Sequence, residues 1–200
     1  MVKKKNRRFI NLCLWLFSLL ILSGCGSALR VYLHPGGDLS ALQKVAVIPL
    51  ANFSNDRFAG ERVTHALITE LLIRTDFIVV EEGEVNRVLK EAGVKLIEEP
   101  DTGKVFDIAK LKKLKESLGV QAIFLGSVDQ YDMVRIGAET YPLVTLNVRL
   151  VDVETGNIIW RATCSKKGGP SSVPFLTVGE VYTLPELTQR VCQEIVASLK

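Results

Sequence analysis

The 200-residue sequence lacks the local patterns by which most catalytic chemistry is recognised: it has no G-x-S-x-G, no H-E-x-x-H and no Walker A. "DTGK" comes near a phosphate loop, but the glycine required five residues before Gly103 is Glu98, so the backbone could not wrap a phosphate. Histidine is scarce. His34 and His65 lie far apart, one in an irregular segment and one in mid-helix, which is a poor start for a metal site. There is no low-complexity tract and no internal repeat. The N-terminal apolar run, Phe9 to Leu22, is 14 residues interrupted by Asn11 and Ser18. A membrane-spanning helix needs about 20 apolar residues, so this run is short for a permanent anchor.

A real excess of positive charge is lacking too. The formal net charge is +3, but Lys3, Lys4, Lys5, Arg7 and Arg8 sit in the first 24 residues without any acid. Of 25 basic side chains in all, 20 remain beyond that segment against 22 acidic ones, a net charge of −2. Nucleic-acid binding is therefore not indicated. The acids Glu81, Glu82 and Glu84, and Glu98, Glu99 and Asp101, fall in turn-like polar stretches and read as solvated surface rather than acid–base pairs. Lys110, Lys112, Lys113 and Lys115 read as the water-facing side of an amphipathic helix. His65 reads as a helix-surface or boundary residue, and the sequon Asn52-Phe53-Ser54 carries little meaning on its own.

What is present begins with an address. A cationic n-region, the apolar run, and then Leu22-Ser23-Gly24-Cys25 follow in the order of a secretory signal peptide ending in a lipobox. Cleavage is expected between Gly24 and Cys25. Cys25 is the expected lipidation site, its thiol taking a diacylglycerol and its freed amine an acyl chain such as palmitate. Several chains hold a protein to a bilayer far better than one. Gly26 is not the Asp of an inner-membrane retention signal, which favours the outer membrane, periplasmic face. The expected division is signal peptide 1–24, tether 25–41 and a folded domain 42–200.

The domain reads as α/β: an αβ sandwich with a mixed sheet, a late antiparallel hairpin and a C-terminal helix. "KVAVIPL" and "FIVVE" suit short buried strands. The segment "ANFSND" reads as a loop with Asn55 or Asp56 capping a helix over 57–74. Helices are expected over 84–91, ended at Gly93, and on the stripe Ile108, Leu111, Leu114 and Leu118, ended at Gly119. A long strand over 120–134 follows. Val144, Leu146, Val148 and Leu150 alternate with Thr145, Asn147 and Arg149 as a half-buried strand does. "DVETGN" turns the chain into "NIIWRATCS", with Gly156 free to take positive φ. Residues 166–182 read as an irregular loop. Thr183-x-x-Glu186 is a capping box for a last helix striped by Leu187, Val191, Ile195 and Leu199. Cys164 and Cys192 both point inward on this reading, and the oxidising periplasm permits a disulfide as readily as two buried thiols.

The stretches "KVAVIPLANFSND", "ITELLIRTDFIVVE", "LGVQAIFLGSVDQY" and "VTLNVRLVDVETGNIIWRAT" resemble, in order and spacing, the CsgG-like periplasmic lipoproteins. That group includes the curli secretion channel and LpoB-related lipoproteins. The resemblance covers roughly 42–199 and implies a non-enzymatic envelope module without cofactor, acting on a protein partner and open to homo-oligomerisation. It also implies an alternative, a subunit of an oligomeric secretion pore. Channel members lend two long hairpins to a shared barrel, and the counterparts here do not fit: Asp129 to Pro142 is short and carries Asp132, Arg135 and Glu139, and 166–184 is broken by Pro170 and Pro174. A periplasmic enzyme is the remaining alternative, for which the sequence offers no nucleophile–base pair.

Overall fold

The computed structural model describes residues 28–93, 108–170 and 180–200. Among them lie seven strands: β1 (Ala28–Leu33), β2 (Lys44–Val47), β3 (Ala51–Asn52), β4 (Ile78–Val79), β5 (Ala122–Ile136), β6 (Glu139–Asp152) and β7 (Ile158–Lys167). The helices are α1 (Ala59–Arg74), α2 (Glu82–Glu91), α3 (Ile108–Leu118) and α4 (Leu184–Ala197). The strands form one mixed sheet in the order β1-β7-β6-β5-β2-β4, with β3 pairing β5 off that path. β2 runs parallel to β4 and β5, β3 runs parallel to β5, and the β5–β6, β6–β7 and β7–β1 pairs are antiparallel. The expected α/β sandwich, late hairpin and C-terminal helix are all present.

Two apolar clusters sandwich the sheet. On one face α1 and α4 pack through Val63, Leu67, Leu71, Val191 and Ile195 against Phe124, Leu146, Val148, Leu150 and Trp160. On the other, α2 and α3 cover only part of the sheet, through Val88, Leu89, Leu114 and Leu118 on Ile48, Ile123 and Val151. Trp160 lies edge-on to Phe124, ring centroids 6.2 Å apart, and its indole N–H donates to the Ser198 carbonyl at 3.2 Å. The alternation in β6 sets which face is which: Val144, Leu146, Val148 and Leu150 are buried, and the residues between them are not.

Element ends follow local chemistry. Thr183 accepts from the Glu186 N–H at the start of α4, as the capping box requires, with Pro185 in the first turn. Gly156 takes φ +74° in the turn between β6 and β7, where the Asp152 carboxylate accepts from the Glu154 and Thr155 N–H groups. α1 starts two residues later than the sequence suggests. Asp56 accepts from the Phe58 N–H at 2.8 Å and binds Arg62, so it orders the approach to the helix without being its cap.

Two expectations are corrected. Residues 28–33, read as part of a tether, are strand β1, paired along its length with β7 from Ala28↔Ser165 to Leu33↔Trp160. "LRVYL" carries the β-branched and aromatic residues that suit an edge strand, but as an edge strand it buries almost nothing, so no alternation marks it. The strands expected over 120–134 and 144–150 run further: β5 and β6 stay paired as far as Ile136↔Glu139, turning at Gly137 (φ +65°), so 129–142 holds the tip of their hairpin. The loop "EEPDTGK" lies outside the described residues, as does most of the 166–182 loop; its ends are held by a bridge between Gly169 and Val181.

Candidate functional site

Gly24 and Cys25 lie outside the described residues. Cys164 on β7 and Cys192 on α4 lie in the same core cluster as buried thiols, with no disulfide between them. Burial above all, then the Glu194 carboxylate, raises Cys164 to about 11. Burial likewise pushes Cys192 upward, with Glu70 and Cys164 adding to it. Both thiols therefore stay protonated at neutral pH and are poor nucleophiles. Glu194 is held by Lys166, and Glu70, buried on α1, is met by Arg74 at 2.5 Å.

A polar cleft of about 430 Å³ opens where the β6–β7 turn meets the segment after β1. Its acids are committed to structure. Asp38 accepts from the Ser40 hydroxyl and N–H, which lowers its pKa. Asp152 holds its own turn, and Glu154 pairs with Lys115. His34, at its rim, is in contact with no acid among the described ion pairs. Among the described residues no group of three or more His, Cys, Asp or Glu side chains could hold a metal ion. Nor is any described helix long and apolar enough to cross a membrane.

The sheet face left open by α2 and α3 has a different character. Across β5, β6 and β7 runs a ladder of side-chain bonds: Ser127, Asn147, Thr163 and Thr145 donate to Asp129, Asp129, Asn147 and Gln130 in turn, and Thr145 and Ser165 share a further bond. Beside it, Arg149 on β6 stands opposite Arg161 on β7, which stands opposite Tyr32 on β1. Arg30, opposite Thr163, lies on the same face. Burial, and after it the Arg161 charge, holds the Arg149 guanidinium below its usual range. None of the ion pairs among the described residues involves Arg30, Arg149 or Arg161. Like charges facing each other across a sheet are unfavourable, so this row is a standing electrostatic cost that an acidic surface would relieve. The alternation of β6 sets Arg149 on the outer face; only the register between the strands makes Arg161 its neighbour.

The family model described as "Curli production assembly/transport component CsgG" matches residues 38–182. Among solved structures, the PelC dodecamer from Paraburkholderia phytofirmans is similar at 15% identity and TM-score 0.58, over 87% of this chain and 97% of that one. Lipoprotein GNA1162 from Neisseria meningitidis follows at 18% identity and TM-score 0.53, over 78% and 99%. The hypothetical protein CT253 from Chlamydia trachomatis shows 12% identity and TM-score 0.54, over 80% and 96%. At such identities these likenesses establish the fold. No curated protein matches the sequence.

Proposed function

From the premise that the chain belongs to the CsgG family, we propose that it is a non-enzymatic interaction or assembly module of the cell envelope, lipid-anchored through Cys25 to the periplasmic face of the outer membrane. The observation that carries the reading is the unneutralised Arg149–Arg161 row on a partly open sheet face, beside a cleft whose acids are committed to structure and a core whose thiols are buried. Such a face fits a protein partner that presents carboxylates. The anchor confines the domain and that partner to one surface, which raises their effective concentration. Self-association belongs to the same reading, because a related fold, PelC, is described as a dodecamer.

The reading is tested by crosslinking and pull-down of the lipidated protein in its own membranes, beside Cys25→Ala and Arg161→Glu. Capture is expected to depend on both residues. A partner set unchanged by Cys25→Ala would remove the tethering role, and one unchanged by Arg161→Glu would remove the arginine face. Light scattering of the purified protein reports self-association.

A further inference from the structure

The register of the sheet fixes where an anchor at Cys25 would lie. Ala28, Ser165, Thr145 and Gln130 form one row across β1, β7, β6 and β5. Cys25 precedes Ala28 by three residues, so even fully extended it reaches only about 11 Å past that row. Beyond the same row, and at the same end, β5 and β6 continue to Ile136 and Glu139. Six residues of β6 separate Thr145 from Glu139, an overhang of about 20 Å. β6 is two strand spacings from β1, about 10 Å sideways. The hairpin tip therefore projects further toward the side from which the chain leaves than the anchor residue can.

The overhang is dressed for an interface. Met133 and Ile136 are exposed, 46% and 47%, on its two faces. Tyr141 and Tyr182 sit against each other, centroids 6.3 Å apart, with the Lys167 ammonium 5.7 Å from the Tyr141 ring. Tyrosines of this kind, apolar in body and polar at the tip, suit the headgroup level of a bilayer. Asp132 and Glu139 balance Arg135 and Lys167, so attraction to anionic lipid is not its basis. The overhanging parts, Gln130 to Ile136 and Glu139 to Thr145, are too short to cross, since a spanning strand needs about 9–11 residues.

We propose that the β5–β6 overhang is a second, non-spanning contact with the bilayer, its tip seated at the headgroup–acyl boundary beside the lipid on Cys25. This rests on Cys25 as the point of attachment. With a tether only three residues long and a hairpin that outreaches it, the domain stands on the membrane at two points and holds one orientation. The Asp152–Asn157 turn, at the other end of β6 and β7, then faces away from the bilayer.

The test uses tryptophan quenching by vesicles of phosphatidylcholine with dibrominated acyl chains. Trp160 is fully buried and provides a shielded background, and Trp15 in the leader is replaced by Phe in every variant. Ile136→Trp and Met133→Trp report the tip, Glu154→Trp the far turn, and Tyr32→Trp the β1 edge. The full chain is expressed, purified from membranes and reconstituted, and intact mass shows whether Cys25 carries lipid. If it does not, the Cys25 thiol is coupled to a maleimide lipid in a Cys13→Ser background before reconstitution, so failure of the lipidation reading and failure of this one are separate results. Quenching at the tip at least about twofold above that at position 154 is expected for a group seated several ångströms into the boundary. Tip and far turn quenched alike, or Tyr32→Trp quenched in place of the tip, overturns the proposal.

Discussion

Arg149 on β6 stands directly opposite Arg161 on β7, on the sheet face that α2 and α3 cover only in part. The pair is separated from the Asp129–Asn147–Thr163 ladder by two residues along each strand. Removing one of the two charges separates folding from binding. Arg161→Thr relieves a like-charge pair worth about 0.2–1 kcal/mol, so the melting temperature is expected to rise slightly while capture of an acidic partner falls. A drop in melting temperature would mean that the side chain packs more than it repels.

Thr64 holds the start of α1 to the end of β2. Its buried hydroxyl accepts from the Leu50 N–H at 3.0 Å and donates to the Gly60 carbonyl at 2.7 Å. Thr64→Val keeps the shape and leaves the Leu50 N–H buried without a partner. A loss of about 1–3 kcal/mol is expected, read from urea unfolding. Thr64→Ser, which keeps both bonds, should recover most of it.

Gly126 is required by close approach rather than by backbone angle. A Cβ there would meet the Asn147 carbonyl oxygen at 2.2 Å and the Leu50 Cδ2 at 2.9 Å. The first obstacle is backbone of the paired strand, which cannot swing aside. Gly126→Ala should cost about 1–3 kcal/mol by overpacking. An unchanged urea midpoint would show that β5 and β6 slide apart without cost.

Cys164 should resist alkylation by iodoacetamide in the native protein at pH 8 and react only on unfolding. Its folded value, about 11, lies above the 9.0 of an unperturbed thiol. The folded state therefore binds this proton more tightly, and the contribution is fully present below pH 9 and lost as pH rises toward 11. The alkaline fall in stability should be shallower in Cys164→Ala. Equal slopes in parent and variant would remove the thiol from the account.

Much of this fold was legible from residues alone. The i, i+4 stripe of α1, the alternation of Val144 to Leu150, the glycine turn at Gly156 and the Thr183 cap each have one physical cause confined to a few neighbours. What was missed depends on partners distant in sequence. β1 buries little, so only its register with β7 reveals it. The reach of the β5–β6 hairpin beyond the core has no apolar alternation to mark it, because solvent lies on both sides near Gly137. The arginine row shows the same thing: Arg149 was read as outward-facing, but its neighbour lies twelve residues on, across a turn whose register had to be known first.

β1 also settles how the domain would bear load. Its hydrogen bonds to β7 are antiparallel and so lie across the strand axis. A pull on the chain ahead of Ala28 acts along that axis, toward the end where the β5–β6 tip projects. The bonds between the two strands are then loaded in shear, all at once, instead of being peeled apart in turn. An edge strand that contributes little to the core is thus a mechanical clamp, placed between the domain and whatever holds its N-terminus.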